Sequence, residues 1–263
     1  MQKKRMTHVI MRHPLLVRIT HWVIALSLFV LAMSGMQIFN AHPALYASDA
    51  SNFGSPILSI SGETDAQGNP HGWVQIGRVR IPTTHVLGWG DNGQGSEGAR
   101  AFPGWATIPS EQDLADGRRW HIFFAWIFVL CAAVYARFAV KLIPTKADFK
   151  ALPHTLKEHL KPWKIPPTAE LNPMQKLAYF GVVWFVSPLV IISGLALSPS
   201  VDAWAPWLPW ILGGRQFARV WHFAAWIALT GFFVGHIAMV VLTGFINNMR
   251  SMITGRFAVK GAK

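Results

Sequence analysis

Residues 219–242 read RVWHFAAWIALTGFFVGHIAMVVL. Apart from Arg219 at its start, the stretch holds no Asp, Glu, Lys or Arg, yet it contains two histidines, His222 and His236. About 20 apolar residues in a helix span the roughly 30 Å of a bilayer's hydrocarbon core. In lipid the backbone must satisfy its own polar groups, so such a run is read as a helix. Ionisable side chains inside a span are rare and mark function. The two histidines are 14 residues apart. That spacing is roughly 21 Å of helix and about 3.9 turns, so both project from one face.

Three further runs have the same character. Together the spans cover about 15–39, 120–143, 177–197 and 217–246. Only 14% of the 263 residues are charged and 52% are hydrophobic, against roughly 25% charged in soluble domains. The expected fold is an all-α integral membrane protein, a bundle of four transmembrane helices forming a single domain over residues 1–263. Asn172-Pro173-Met174-Gln175 predicts the start of the third helix, with Asn as cap, Pro at the first helical position and Gln closing a capping box. Pro188 should distort that helix. The first helix follows Lys3-Lys4-Arg5, as a signal peptide would, but its apolar run is too long for one and is read as an uncleaved anchor.

The charges set an orientation. With the N-terminus in the cytoplasm, the N-terminal arm, the connection between the second and third helices and the C-terminal tail, with their flanks, hold 17 of the 24 Lys and Arg, including all eleven lysines. The opposite loops hold seven arginines and nine of the twelve acids. Topology therefore accounts for the net charge of +12, and no nucleic-acid partner is implied. The periplasmic loop at 40–117 is long and rich in Gly, Pro, Asn and Ser. Runs such as 73–81 suggest hairpins without a core of their own, and docking a partner is the natural use of a long loop. Residues 145–159 read as a basic amphipathic helix on the membrane surface. The tryptophans at 204, 207 and 210 read as an interfacial aromatic belt.

The single cysteine, Cys131, excludes an internal disulfide, a four-thiolate iron–sulfur cluster and C-x-x-C-H haem attachment. Histidine must carry any metal centre. Four histidines lie within spans: His21 toward the cytoplasmic end of the first, His121 toward the outer end of the second, and His222 and His236 on the fourth. They form an outer pair, His121 with His222, and an inner pair, His21 with His236. Two imidazole pairs at two depths suit two haems, each iron taking two axial ligands. Zinc would gather three or four ligands at one point. Arg18, Arg118 and Arg219 each precede a histidine by three residues, one turn nearer the surface, where haem propionates need cationic partners. Gly35, Gly194, Gly231 and Gly235 leave room for a flat ring or close helix packing. The other seven histidines are read as solvated, with His42 a candidate at a quinone or partner site.

Arg12-His13-Pro14, Arg18-Ile-Thr-His21-Trp22, Met33-Ser34-Gly35 and the His222/His236 spacing together resemble the bacterial cytochrome b561 and hydrogenase-type cytochrome b family. That family includes the cytochrome b subunits of nickel–iron hydrogenases and thiosulfate reductases, and the gamma subunit of membrane formate dehydrogenases. The resemblance implies two haems b on His21/His236 and His121/His222, a quinone reacting beside a haem, and a periplasmic redox partner such as a molybdopterin oxidoreductase or hydrogenase. At the inner end of the fourth span, Asn247, Asn248, Arg250 and the nearby His159 are the quinone candidates. The long periplasmic loop departs from shorter family members and leaves the partner open. The rival readings are a stand-alone quinone reductase with a diffusible donor such as superoxide, and a haem-free transporter or membrane anchor.

Overall fold

The computed structural model describes residues 7–47, 49–159 and 171–260. Four helical stretches are long and apolar enough to cross a membrane: Leu15–Asn40, Leu114–Leu142, Pro173–Ala196 and Arg215–Leu242. At 1.5 Å per residue they measure roughly 36 to 44 Å, longer than the hydrocarbon core. Large apolar side chains stand exposed along them, among them Phe29, Phe123, Leu130, Phe185, Phe233 and Val234. A water-soluble domain would cover such a continuous surface; lipid solvates it.

Helix α1 is Leu15–Asn40 and α2 is Leu114–Ala139, extended by a 3-10 turn at Val140–Leu142. Helix α3 is Lys146–His159, where the sequence predicted a surface helix. The third span begins as α4, Pro173–Gly181, with the predicted capping box. The Asn172 side chain accepts from the Gln175 amide at 2.8 Å, and the Asn172 amide donates to Gln175 Oε1 at 3.3 Å. The irregularity expected at Pro188 takes the form of a wide π turn at Val182–Val186, ahead of α5, Ser187–Ala196. Proline has no N–H for the ladder, and a widened turn makes room for its ring. Short helices α6, Pro199–Asp202, and α7, Trp207–Ile211, lead to α8, Arg215–Leu242. Here the structure departs from the predicted end near 246. Gly244 adopts φ 116° and breaks the chain into a separate α9, Phe245–Thr254, a conformation that only glycine adopts without strain.

The chain divides into two compact units. The first comprises the described parts of Met1–Val23, Cys131–Pro188 and Ile227–Lys263. In it β1, Thr7–Met11, pairs antiparallel with the C-terminal strand Arg256–Lys260, from Thr7 opposite Lys260 to Met11 opposite Arg256. The sequence reading assigned neither segment a secondary structure. Phe257, 1% exposed, anchors the ribbon beneath the Arg12 guanidinium, 4.5 Å from the ring centroid. Asn247 pins it further, donating to the Ala258 carbonyl and accepting from the Ala258 amide, both at 2.9 Å. Lys176 and Asp148, 2.7 Å apart, tie α4 to α3. The Lys176 hydrogen bond, reinforced by Thr145, holds the Asp148 carboxyl down to about 2.

The second unit comprises Ile24–Leu130 and Leu189–Trp226 and includes residues 41–113, whose strands make the chain more than the all-α bundle named as its fold class. Strands β2, Ala44–Leu45, β3, Leu58–Thr64, β4, Pro70–Ile76, and β5, Val79–Pro82, form an antiparallel sheet in that order. Strands β6, Gly88–Asp91, and β7, Glu97–Arg100, form a hairpin. The C-terminal strand is thus β8. A β-carbon on Gly62, Gly72 or Gly88 would come within 2.3 or 2.4 Å of a backbone oxygen, so three glycines let β6 cross directly over β3 and β4.

Hairpins are present at the predicted place, but the segment also has a core, contrary to expectation. Ile60, Ala101 and Phe102 are buried, with Met36 and Phe39 of α1 and Phe223 and Trp226 of α8 packed around them. A buried cation fastens this core. Arg100, 6% exposed, donates to the Asn92 carbonyl at 2.7 Å, Gln37 Oε1 at 2.7 Å and Thr107 Oγ1 at 2.8 Å, and also to the Ser110 carbonyl. Gln37 is itself buried and donates to the Glu111 carbonyl. The guanidinium thus joins α1 to the β6–β7 turn and to the stretch at 107–110 that leads into α2.

Candidate functional site

The four membrane histidines come together as the two predicted pairs. His121 of α2 and His222 of α8 lie in the second unit, with ring centroids 6.1 Å apart and planes at 64°. His21 of α1 and His236 of α8 lie in the first, with centroids 6.3 Å apart and planes at 55°. Two metal–imidazole bonds of about 2 Å, plus two ring radii of about 1 Å, put the centroids of opposed axial ligands about 6 Å apart. Each pair therefore brackets a space sized for one metal atom. Among the described residues no group of three or more His, Cys, Asp or Glu converges on a point.

The surroundings of the His121–His222 pair decide which nitrogen faces that space. Ser34 Oγ on α1 lies 2.7 Å from the Val30 carbonyl and 3.1 Å from His121 Nδ1. Ser193 Oγ on α5 lies 2.6 Å from the Leu189 carbonyl and 3.1 Å from His222 Nδ1. In each case the hydroxyl proton is committed to the carbonyl four residues back, so the oxygen meets the imidazole as an acceptor. His222 Nδ1 also faces the Val190 carbonyl at 3.0 Å, which can only accept, and His121 finds the Leu31 carbonyl in the same role. Both rings must carry their proton on Nδ1. That leaves the Nε2 lone pair for a metal.

The glycines after the serines complete the fit. A β-carbon on Gly35 would stand 3.3 Å from His121 Cε1, and one on Gly194 would stand 3.1 Å from His222 Cε1. Gly231 and Gly235 instead face open space.

The His21–His236 pair is held differently. His236 stacks on Phe232 at 5.7 Å and 18°, and its Nδ1 is 3.4 Å from the Tyr179 hydroxyl. His21 packs edge-on against Trp22, and its Nδ1 is buried with no hydrogen-bond partner. Near this pair His13, read from sequence as solvated, is half-buried. Burial first, then Arg12, pushes its imidazole down to about 4.

The predicted arginines divide. Arg219 donates to the His42 carbonyl at 2.9 Å and to Gln216 Oε1 at 3.0 Å. Arg18 donates to the Ile253 carbonyl, while its Nε is buried with no partner. Arg118 is exposed and lines a cavity of about 720 Å³ with Arg119, Ile122, Phe123 and Trp126. His42, expected to be solvated, is half-buried between Tyr46 and Phe53, with a buried, unpartnered Nε2. Burial, then Arg219, lowers its pKa.

Of the quinone candidates, Asn247 and Asn248 lie on α9 and spend their amides inside the protein. Asn248 donates to the Val240 carbonyl and Thr243 Oγ1 and accepts from Arg12. Arg250 lines a cavity of about 740 Å³ with Val9, Thr254 and Arg256. His159 ends α3, and its side chain lies outside the described residues.

The sequence profile of the prokaryotic cytochrome b561 family matches residues 12–255. The chain belongs to that family. It is also similar to a protein of Azospira oryzae described as a putative protein-methionine-sulfoxide reductase subunit, YedZ1, at 25% identity over 238 residues, covering 88% of this chain and 90% of the relative. The chain is accordingly a multi-pass inner-membrane cytochrome, a haem-b electron-transfer subunit. Its residues fit the group: two pairs of imidazoles at metal-bridging separation and, at His121 and His222, Nδ1 engaged from behind and a glycine admitting each ring. The serine contacts were missed in the sequence reading. Their signal was a Ser-Gly step in both the first and third spans.

Proposed function

We propose that the chain is a transmembrane di-haem cytochrome b that passes electrons between the membrane quinone pool and a periplasmic redox partner docked on residues 41–113. The observation that carries this reading is the pairing of four membrane histidines into two sets, each with ring centroids 6.1–6.3 Å apart. His121 and His222 hold one haem b through Nε2, and His21 and His236 hold the other. Bound haem with two imidazole ligands supplies one-electron transfer and leaves no axial position for oxygen. Arg18, Arg118 and Arg219 supply cations for propionates, and the buried Nε of Arg18 is a donor still to be met.

The lysine distribution supports an orientation with β1, α3 and α9 cytoplasmic and 41–113 periplasmic. Arg250, beside its cavity, and His159 are the contacts we assign to quinone. The description of the Azospira relative as a reductase subunit favours a partner oxidoreductase that reduces protein-bound methionine sulfoxide.

The test is a dithionite-reduced minus oxidised absorption spectrum of the purified chain, with haem quantified per polypeptide. Two low-spin haems per chain are expected. A colourless protein, with haem supply assured during expression, overturns the reading in favour of a transporter or anchor. Quinone reduction driven by superoxide, with no partner retained on native purification, would favour the stand-alone reductase.

A further inference from the structure

The surroundings of His121 and His222 repeat one another in detail. On one side α1 offers Leu31 and Ser34-Gly35 to His121; on the other α5 offers Val190 and Ser193-Gly194 to His222. The carbonyl three residues before the serine and the serine hydroxyl both face Nδ1, and the glycine after it faces Cε1. Both serines are fully buried, at 0% exposure. The histidine-bearing helices match as well: Arg118 and Trp120 stand to His121 as Arg219 and Trp221 stand to His222. The other pair has no such arrangement, since His21 Nδ1 has no partner and His236 meets a tyrosine at 3.4 Å.

A buried serine in a membrane helix commonly does no more than bond back to its own carbonyl. These two do that, and the commitment of their protons is what turns their remaining lone pairs toward the imidazoles. An acceptor behind Nδ1–H raises the basicity of the ligating nitrogen. A more basic axial ligand stabilises the ferric state over the ferrous state and lowers the potential.

We infer that Ser34 and Ser193 are positioning residues that set the potential of the haem between His121 and His222. Each locks its histidine in the Nδ1–H tautomer from a repeated Ser-Gly clamp and holds that haem's potential down by hydrogen bonding. This rests on the di-haem reading above. The clamp acts on one haem of the two, so the chain carries its own internal control.

The experiment is a potentiometric titration of the purified, haem-loaded chain followed by absorbance, with electron paramagnetic resonance of the ferric state. The variants are Ser34→Ala, Ser193→Ala, the double alanine variant, Ser34→Thr and Ser193→Thr. His121→Ala and His21→Ala assign the two components. Each serine loss should shift the reduction equilibrium of the His121–His222 haem roughly threefold to tenfold toward the ferrous form. The double variant should shift it further, and the second haem should stay in place. The threonine variants, which keep the hydroxyl, should titrate as the native chain does. An unchanged potential and resonance in the haem-loaded double variant overturns the inference and leaves the di-haem reading intact. If an alanine variant loses a haem, retention in the matching threonine variant supports the hydroxyl's role. Loss in both overturns it in favour of packing alone. A native chain without haem overturns the underlying reading instead.

Discussion

The two histidine pairs are chemically alike and mechanically unlike. His121 and His222 are each held at Nδ1 by a hydroxyl and a carbonyl and at Cε1 by a glycine. His21 and His236 are held chiefly by ring packing, against Trp22 in one case and Phe232 and Tyr179 in the other. Hydrogen bonds fix a tautomer and a direction; aromatic packing fixes a position and leaves the ring's proton less constrained. The difference teaches that two like pairs of imidazoles can be supported rigidly or loosely within one chain.

The largest effect should come from removing a ligand. His222→Ala and His21→Ala should each reduce haem from two to one per chain, with the spectrum of the remaining component unaltered. Loss of both haems in either variant would mean that the pairs are not independent. Crowding the clamp should come next. In Gly194→Ala the new β-carbon must push His222, 3.1 Å away, and retention of that haem against a competing apoprotein should fall about 10- to 100-fold. Unchanged retention would show that the clamp yields.

Arg100→Met should cost about 2–4 kcal/mol, because Gln37 and Thr107 lose their buried donor. The 41–113 segment should become protease-sensitive while the His21–His236 component keeps its spectrum. Disturbance of that component would break the division of roles. Tyr179→Phe acts through a long contact of 3.4 Å, so the His21–His236 potential should move less than about threefold in equilibrium. The smallest effect concerns pH. Asp148 is held at about 2, below its ordinary 3.8, first by Lys176. A depressed carboxylate stabilises fully above its unfolded value and loses that contribution as pH falls toward its folded one. Protection of α3 amides against hydrogen exchange, corrected for the intrinsic rate at each pH, should therefore fall only as pH drops from about 4 toward 2. In Asp148→Asn it should already be lower at pH 7.

What the sequence made legible follows from how local each signal is. Apolar runs marked the four spans, and the Asn172 box marked a helix start, because both are written in consecutive residues. The histidine pairs followed from helical rise alone, and each pair meets within one unit. Arg100 was counted as a surface charge, since nothing in its neighbours tells that Gln37, 63 positions earlier, will bury it. The core of the 41–113 segment was hidden for the same reason, its partners being Met36 and Phe39 on one helix and Phe223 and Trp226 on another. Gly244 passed as a residue of the fourth helix because one glycine inside an apolar run is common there.

The pairing of β1 with β8 has a consequence for biosynthesis. Thr7–Met11 leaves the ribosome well before Arg256–Lys260 and cannot meet it until every span between them has been made. Through that interval the strand is an open edge, with Val9, Ile10 and Met11 exposed even in the finished protein, and an unpaired apolar edge invites the wrong neighbour. Closing the ribbon therefore waits on all four spans, and until then residues 7–11 are an apolar strand in need of cover.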